Sequence, residues 1–265
     1  MDRATFKKIC RTRRLSWGTL MIEHMTSHTA RTLARAGYDW LWIDNEHGYH
    51  SYETLQEIIR TCDDVGMVPI VRVTQREYGR IAQALDMGVS GVIIPRVQTP
   101  DEAREVMEYA KYPPIGKRGF GIRGNLFPPE KRSMKARMED QNQRLLIIQL
   151  ESPEAIDALP KMLEVTEGQV DAVFYGPADF QVSIGKPDQP DCEEVLSYAR
   201  KMTSVCAAHN ISNGLPALTP GEARKWVELG FNLICYRNDD MFLADSAEEG
   251  RKALRVLEEE LRREE

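Results

Sequence analysis

The chain has 265 residues, of which 42% are hydrophobic and 29% are charged, a composition typical of globular proteins. Its net charge of −6 at pH 7 argues against nucleic-acid binding, because nucleic-acid-binding proteins usually carry basic surfaces. No apolar run approaches the ~18 residues of a membrane span, and the N-terminus lacks the apolar stretch of a secretory signal. The five scattered cysteines include no C-x-x-C pair and indicate neither a disulfide framework nor a zinc site. We therefore expect a reduced, cytoplasmic protein without a membrane or nucleic-acid partner.

Short β-like runs alternate with helical stretches along the chain. The predicted strands cover residues 16–21, 40–44, 68–73, 91–95, 145–150, 172–176, 212–215 and 233–236. The predicted helices cover residues 29–36, 52–64, 75–87, 100–109, 153–164, 192–209, 220–229 and 246–263. Eight strands with eight helices predict one domain, a (β/α)₈ barrel over residues 1–265, with a doubly wound open sheet as the alternative.

Three segments need separate interpretation. The sequence predicts a long loop over residues 111–129, a kind of segment that is often functional in a compact domain. Residues 130–143 are highly charged, and their pattern predicts a helix. The C-terminal helix carries apolar residues that predict a packing surface against its own barrel or a neighbouring subunit: Leu254, Val256, Leu257 and Leu261.

Polar residues follow most of the predicted strands. They are Asp44, Glu46, His47, Arg72, Arg96, Glu151, Asp179 and Arg237. The carboxyl ends of parallel strands meet at one rim of a barrel, where chemistry takes place. Each residue alone has an ordinary explanation: His47 in a turn, Arg72 in a structural ion pair, Glu151 or Asp179 at a helix N-terminus. Together they predict an active site.

Several motifs occur in a fixed order: Asp-Trp-Leu-Trp-Ile-Asp-Asn-Glu-His at 39–47, Pro-Ile-Val-Arg at 69–72, Leu-Asp-Met-Gly at 85–88, Ile-Pro-Arg-Val at 94–97, Tyr-Pro-Pro-Ile-Gly-Lys-Arg-Gly at 112–119, Gln-Leu-Glu at 149–151 and Gly-Pro-Ala-Asp-Phe at 176–180. Over about residues 16–243 the chain resembles the HpcH/HpaI aldolase family. These are metal-dependent (class II) pyruvate aldolases acting on 2-keto-3-deoxy sugar acids and 4-hydroxy-2-oxo acids. The resemblance implies a (β/α)₈ barrel, in agreement with the strand count.

The resemblance also implies where a metal and the substrate bind. Glu151 and Asp179 would bind a divalent cation, Mg²⁺ or Mn²⁺, with Co²⁺ also possible. Gln149, Gly176, Asp179 and the backbone N–H of Ala178 would hold the pyruvate part of the substrate.

The implied reaction cleaves a 4-hydroxy-2-oxo acid to pyruvate and an aldehyde through a pyruvate enolate. His47 would be the catalytic base, and Asp86 the carboxylate that raises its basicity, although Asp86 alone is most simply a helix-end residue. Arg72 would stabilise the enolate, while Asp44 and Glu46 would act through water near the metal. The predicted strands contain no lysine for the Schiff base of a class I aldolase, which favours the metal-dependent route.

The eighth strand departs from the family pattern. Cys-Tyr-Arg-Asn-Asp-Asp-Met at 235–241 replaces a small, apolar run, so Arg237 either binds an acidic aldehyde or pairs with Asp239 or Asp240. Arg118 and Arg123 are secondary candidates for binding the aldehyde.

Other functions remain open. The same enolate-forming site could decarboxylate oxaloacetate or serve a related carbon–carbon lyase. A CoA-thioester lyase would need a CoA site that the sequence does not show, and a non-catalytic keto-acid-binding protein would not need the full set of residues. The family assembles as trimers or hexamers with the C-terminal helix exchanged between subunits, so the resemblance implies a homo-oligomer.

Overall fold

The computed structural model describes residues 1–121 and 133–264, in which eight parallel strands close into a barrel. The strands are β1 (Ser16–Met21), β2 (Trp40–Asp44), β3 (Val68–Arg72), β4 (Gly91–Ile94), β5 (Leu145–Leu150), β6 (Ala172–Tyr175), β7 (Ser212–Ala217) and β8 (Leu233–Asn238). The helices are α1 (Arg3–Thr12), α2 (Ser27–Arg35), α3 (Tyr52–Val65), α4 (Tyr78–Asp86), α5 (Pro100–Ala110), α6 (Met134–Asn142), α7 (Pro153–Val165), α8 (Pro177–Ser183), α9 (Glu193–Ala208), α10 (Pro220–Glu228) and α11 (Asp239–Glu264). The single-domain (β/α)₈ barrel predicted from the sequence is confirmed.

Some boundaries differ from the prediction. Strands β7 and β8 extend to Ala217 and Asn238, helix α4 begins only at Tyr78, and α11 begins directly after β8. Helices α1 and α8 were not predicted. The predicted helix 130–143 is described only from Ser133, whose hydroxyl caps α6, and the loop 111–129 only as far as residue 121.

Helix α1 closes the floor of the barrel. The side chain of Asp2 caps it by accepting from the Thr5 backbone N–H at 2.7 Å. Its buried face packs into the barrel interior, where the Phe6 ring lies 6.0 Å from the Trp40 ring. The floor of the barrel interior is therefore filled with apolar side chains.

The last helix does not cover the barrel. All side chains from residue 246 to 263 of α11 are exposed.

The described part of the chain contains no helix that is long and apolar enough to cross a membrane. All five cysteines are free thiols.

Candidate active site

The alternation of side chains along the strands places a polar layer at the carboxyl end of the barrel. Trp40 and Trp42 of β2 point into the interior, so Asp44, two residues further on, points into its mouth. The same period of two places Arg72 of β3 and Gln149 of β5 in that layer, and both are buried. The polar ends of otherwise apolar strands thus form the wall of the site.

Asp44 and Arg72 form a buried pair. They lie opposite each other in the parallel register of β2 and β3. Nε of Arg72 donates to Oδ1 of Asp44 at 2.9 Å, and Nη2 donates to Oδ2. Nη1 lies 3.1 Å from Oε2 of Glu46, an ion pair without hydrogen-bond alignment. Burial acts to lower the pKa of Arg72, but the hydrogen bond and charge of Asp44, with the charges of Glu46 and Glu151, raise it.

Asp44 also shapes the loop that carries His47. Its Oδ1 accepts from the backbone N–H of Glu46 at 3.0 Å and of His47 at 3.4 Å. A Cβ at Gly48 would come within 2.4 Å of the Asp44 carbonyl oxygen, so this turn requires glycine. The cluster after β2 is therefore a tight turn around one carboxylate, with the His47 side chain exposed at its edge.

Glu151 lies in a close-fitting pocket between β5 and β6. Its Oε1 accepts from Nε2 of Gln149 at 2.7 Å. A Cβ at Gly176 would come within 2.7 Å of Cγ and 2.8 Å of Oε1 of Glu151. Ala178 and Asp179 follow in the first turn of α8, where backbone N–H groups lack intrahelical acceptors.

Negative charge is concentrated around Glu151. The pKa of Glu151 is raised to about 7, first by burial and then by the negative charges of Asp179 and Glu46, while the positive charges of Arg72 and Arg96 oppose the shift. Burial likewise raises the pKa of Glu46. The charged residues at or just after the carboxyl ends of β2 to β6 therefore share one electrostatic environment. They are Glu46, Arg72, Arg96, Glu151 and Asp179. The arrangement fits a divalent cation, which would relieve the repulsion between the carboxylates.

Two further observations bear on the metal. Oε1 of Gln149 is buried and has no hydrogen-bond partner, so an acceptor oxygen remains available beside Glu151. Within residues 1–121 and 133–264, no group of three or more His, Cys, Asp or Glu side chains could hold a metal ion. A cation held by Glu151 and Asp179 would thus take its remaining ligands from water and substrate, as Mg²⁺ commonly does.

His47 and Asp86 are not brought together. Asp86 is the last residue of α4, which returns to the amino end of β4, whereas His47 follows the carboxyl end of β2. The Asp86 carboxylate pairs with Arg118, whose guanidinium lies 4.8 Å from the Tyr112 ring centroid. Arg118 is therefore engaged at the opposite end of the barrel, and Arg123 lies outside the described residues.

Arg237 is directed away from the barrel mouth. Leu233 and Cys235 face the interior, but β8 has one extra residue opposite the part of β1 between Gly18 and Leu20. This bulge changes the direction of the Arg237 side chain, and the backbone of Arg237 has a φ of 55°. Its Nε donates to the carbonyl of Leu218 at 2.9 Å, and its guanidinium pairs with Asp245.

The two acidic partners considered for Arg237 have other contacts. Asp239 accepts from the backbone N–H groups of Ile22, Glu23 and His24, which ties α11 to the end of β1. The carboxylate of Asp240 lies 3.7 Å from the His24 ring. Arg96, which the sequence already places among the polar strand ends, lies just after β4 with its side chain exposed.

The fold and the rim site define a barrel enzyme, and comparison with known proteins identifies its family. Residues 20–225 match the HpcH/HpaI aldolase/citrate lyase family, and the chain belongs to that family. It is therefore a carbon–carbon lyase of the class II, metal-dependent pyruvate aldolase family.

Curated relatives and solved structures support the same family. The chain is 31% identical over 230 residues to the 2-keto-3-deoxy-L-rhamnonate aldolase of Escherichia coli O17:K52:H18, covering 87% of this chain and 85% of that protein. A HpcH/HpaI aldolase from Desulfitobacterium hafniense DCB-2 superposes with a TM-score of 0.85 at 25% identity, covering 94% of this chain and 95% of the other. A family protein from Burkholderia cenocepacia J2315 superposes with a TM-score of 0.86 at 25% identity, covering 95% and 99%.

Proposed function

We propose that this enzyme cleaves a 4-hydroxy-2-oxo acid, of the 2-keto-3-deoxy sugar acid type, to pyruvate and an aldehyde. The observation that supports this most is the shared environment of Glu151, Asp179, Glu46 and Arg72 at one rim. It combines a carboxylate pair suited to a cation with a buried guanidinium suited to an oxyanion. The rhamnonate aldolase of E. coli, at 31% identity, supports the same substrate class.

The protein's side chains have distinct parts in this reaction. His47 takes the proton of the C4 hydroxyl, since histidine is a base near neutral pH. The C3–C4 bond then breaks, releasing the aldehyde and leaving its electron pair on pyruvate as the enolate. Arg72 donates to the enolate oxygen while Asp44 fixes its guanidinium. Protonation at C3 completes pyruvate.

Glu151 and Asp179 would hold the divalent cation, Mg²⁺ or Mn²⁺, with Co²⁺ also accepted. When bound, the cation supplies positive charge to the oxygens of the 2-oxo acid. Gln149, Gly176 and the N–H of Ala178 bind the substrate carboxylate.

One variant separates cleavage from decarboxylation. Decarboxylation of oxaloacetate gives the same enolate without removing a hydroxyl proton, so it does not need His47. We expect His47→Ala to abolish pyruvate release from 4-hydroxy-2-oxo acids and to retain oxaloacetate decarboxylation, followed with lactate dehydrogenase. Glu139→Gln, which changes an exposed carboxylate of α6, is the matched control. If the wild-type enzyme with Mg²⁺ or Mn²⁺ releases no pyruvate from any such acid, the proposal is wrong.

We also propose that the chain forms a homo-oligomer, a trimer or hexamer, through α11. The barrel leaves a groove of about 450 Å³ between α2 and α10, lined by Trp17, Tyr38 and Tyr236. Helix α11 instead projects with Leu254 and Leu257 about half exposed. A second copy's helix would cover this groove, and Asp86 could reach His47 only across such a subunit contact.

The oligomer has a direct test. Leu254→Glu combined with Leu257→Glu is expected to lower the mass measured by light scattering to that of a monomer. An unchanged mass would exclude α11 as the contact.

The five free thiols support the proposal that the protein works in a reducing compartment, the cytoplasm.

A further inference from the structure

The guanidinium of Arg72 lies over an aromatic ring in the barrel interior. Its Cζ is 5.1 Å from the centroid of the Trp42 ring, and both side chains are buried. This distance is within the range of a cation–π interaction, which is stronger with tryptophan than with tyrosine or phenylalanine. Asp44 and Glu46 contact the N–H groups of the same guanidinium. Because Trp42 lies two residues before Asp44 on β2, its ring supports Arg72 from the floor side, while the carboxylates hold it at the rim.

The Trp42 ring is fixed by a second aromatic ring. Phe174 of β6 meets it edge to face, with 5.0 Å between the ring centroids and an angle of 84° between the planes. Gly214 of β7 leaves the space for Phe174, since a Cβ at that position would come within 2.8 Å of Cζ of Phe174. Side chains packed in this way have little freedom to move. Trp42 is therefore a rigid support under the guanidinium.

Trp40 offers an internal comparison. Trp40 and Trp42 lie on the same strand and face the same interior, and Phe174 meets both rings edge to face. Both indole N–H groups are buried without a hydrogen-bond partner in the described part of the chain. The two residues differ in that, within residues 1–121 and 133–264, a cation lies over the Trp42 ring and none lies over the Trp40 ring. Packing is thus common to both rings, and the contact with Arg72 is particular to Trp42.

We propose that Trp42 is a positioning residue, whose ring holds the guanidinium of Arg72 at the depth from which it donates to the enolate oxygen. This inference rests on the proposed function, in which Arg72 stabilises the enolate. Without the ring, the space below Arg72 would be open, and the guanidinium would be free to move toward the floor. A displacement of about 1 Å can cost on the order of 100-fold in rate. The substrate carboxylate is assigned to other groups, so its binding should persist.

The test measures exchange of the C3 protons of saturating pyruvate in D₂O, which reports enolate formation without any aldehyde. With Mg²⁺ present, Trp42→Leu is expected to slow exchange about tenfold or more, while the Kd of pyruvate measured by calorimetry is unchanged. Trp42→Phe keeps a ring with a weaker attraction for a cation, so it should slow exchange by only about threefold. Trp40→Leu and Trp40→Phe are the matched controls, and they should exchange at the wild-type rate. Rates are compared at a temperature at which circular dichroism shows that the variants are folded.

The outcomes separate this inference from the proposed function. Absence of exchange in the wild-type enzyme contradicts the proposed function and this inference with it. Exchange in the wild-type enzyme together with equal rates in the Trp42 and Trp40 variants contradicts the inference alone. A loss caused by weaker pyruvate binding also overturns it, because the ring would then serve binding rather than the position of Arg72 in the reaction. If Trp42→Leu does not fold, the two phenylalanine variants decide by the same comparison.

Discussion

Replacing Asp44 with asparagine tests how the buried pair holds Arg72. Oδ1 of Asp44 accepts from Nε of Arg72 and from the backbone N–H of Glu46 and of His47, while Oδ2 accepts from Nη2 of Arg72. Asparagine offers one acceptor oxygen and one NH₂ group. In either orientation its NH₂ faces a donor, so Asp44→Asn removes a charge and also creates a donor–donor conflict.

The expected loss of stability follows from the contacts that remain. Breaking a buried ion pair costs about 3–5 kcal/mol. The ion pair with Glu46 at 3.1 Å and the Trp42 ring at 5.1 Å still favour the Arg72 charge. We therefore expect a decrease of about 3 kcal/mol in the free energy of unfolding, at the lower end of that range. The variant should also lose aldol cleavage, because the guanidinium is no longer fixed.

Urea unfolding at constant protein concentration, followed by tryptophan fluorescence, measures this loss. Asp140→Asn is the matched control, because Asp140 pairs with Arg3 at 2.8 Å near the surface. That change should cost no more than about 1 kcal/mol. If Asp44→Asn were as stable as the control variant, Asp44 would not be what holds Arg72, and the reasoning would be refuted.

Three further predictions concern the metal pocket, the floor and pH. Gly176→Ala places a Cβ against Glu151 and should weaken Mn²⁺ binding by about tenfold or more in calorimetry, whereas Gly79→Ala, which meets no atom within 4 Å, should not. Phe6→Ala should lower the free energy of unfolding by about 3–5 kcal/mol, and a loss below about 1 kcal/mol would show that α1 is not part of the core. Burial lowers the pKa of Lys111 from 10.5 to about 8, so the folded state binds fewer protons between these pH values. Stability should rise with pH across that window by up to about 3 kcal/mol relative to Lys111→Met, and equal pH slopes would contradict this.

The barrel and much of its polar rim could be predicted because both follow from local patterns. Runs such as Trp40–Asp44 and Leu145–Leu150 are apolar except for one polar residue at or next to the carboxyl end, which is typical of strands buried on both faces. Once the strand starts are known, the period of two assigns Asp44, Arg72 and Gln149 to the interior layer. Helix α1 was missed because it lies outside the alternation of strands and helices that guided the prediction.

The direction of Arg237 could not be predicted in the same way. Alternation from Leu233 and Cys235 would send it inward. The extra residue in β8 reverses this, and a bulge depends on how two strands pair rather than on either strand alone. Asp86 is different, because its place at the end of α4, just before β4, already assigns it to the amino end of a predicted barrel, and only the family resemblance paired it with His47.

The pairing of charges, more than their positions, decides which residues are available to a substrate. The sequence supplies several arginines near the predicted site or in the loop after α5, and by residue type alone Arg237 and Arg118 are as suitable as Arg96. Their acidic partners are not neighbours in the sequence: Arg237 pairs with Asp245 of the following helix α11, and Arg118 pairs with Asp86 at the end of α4. Folding brings each pair together. Arg96 follows the apolar strand β4 and lines a cavity at the barrel mouth together with Glu46. Which of these arginines can meet a substrate is therefore decided by the fold and not by residue type.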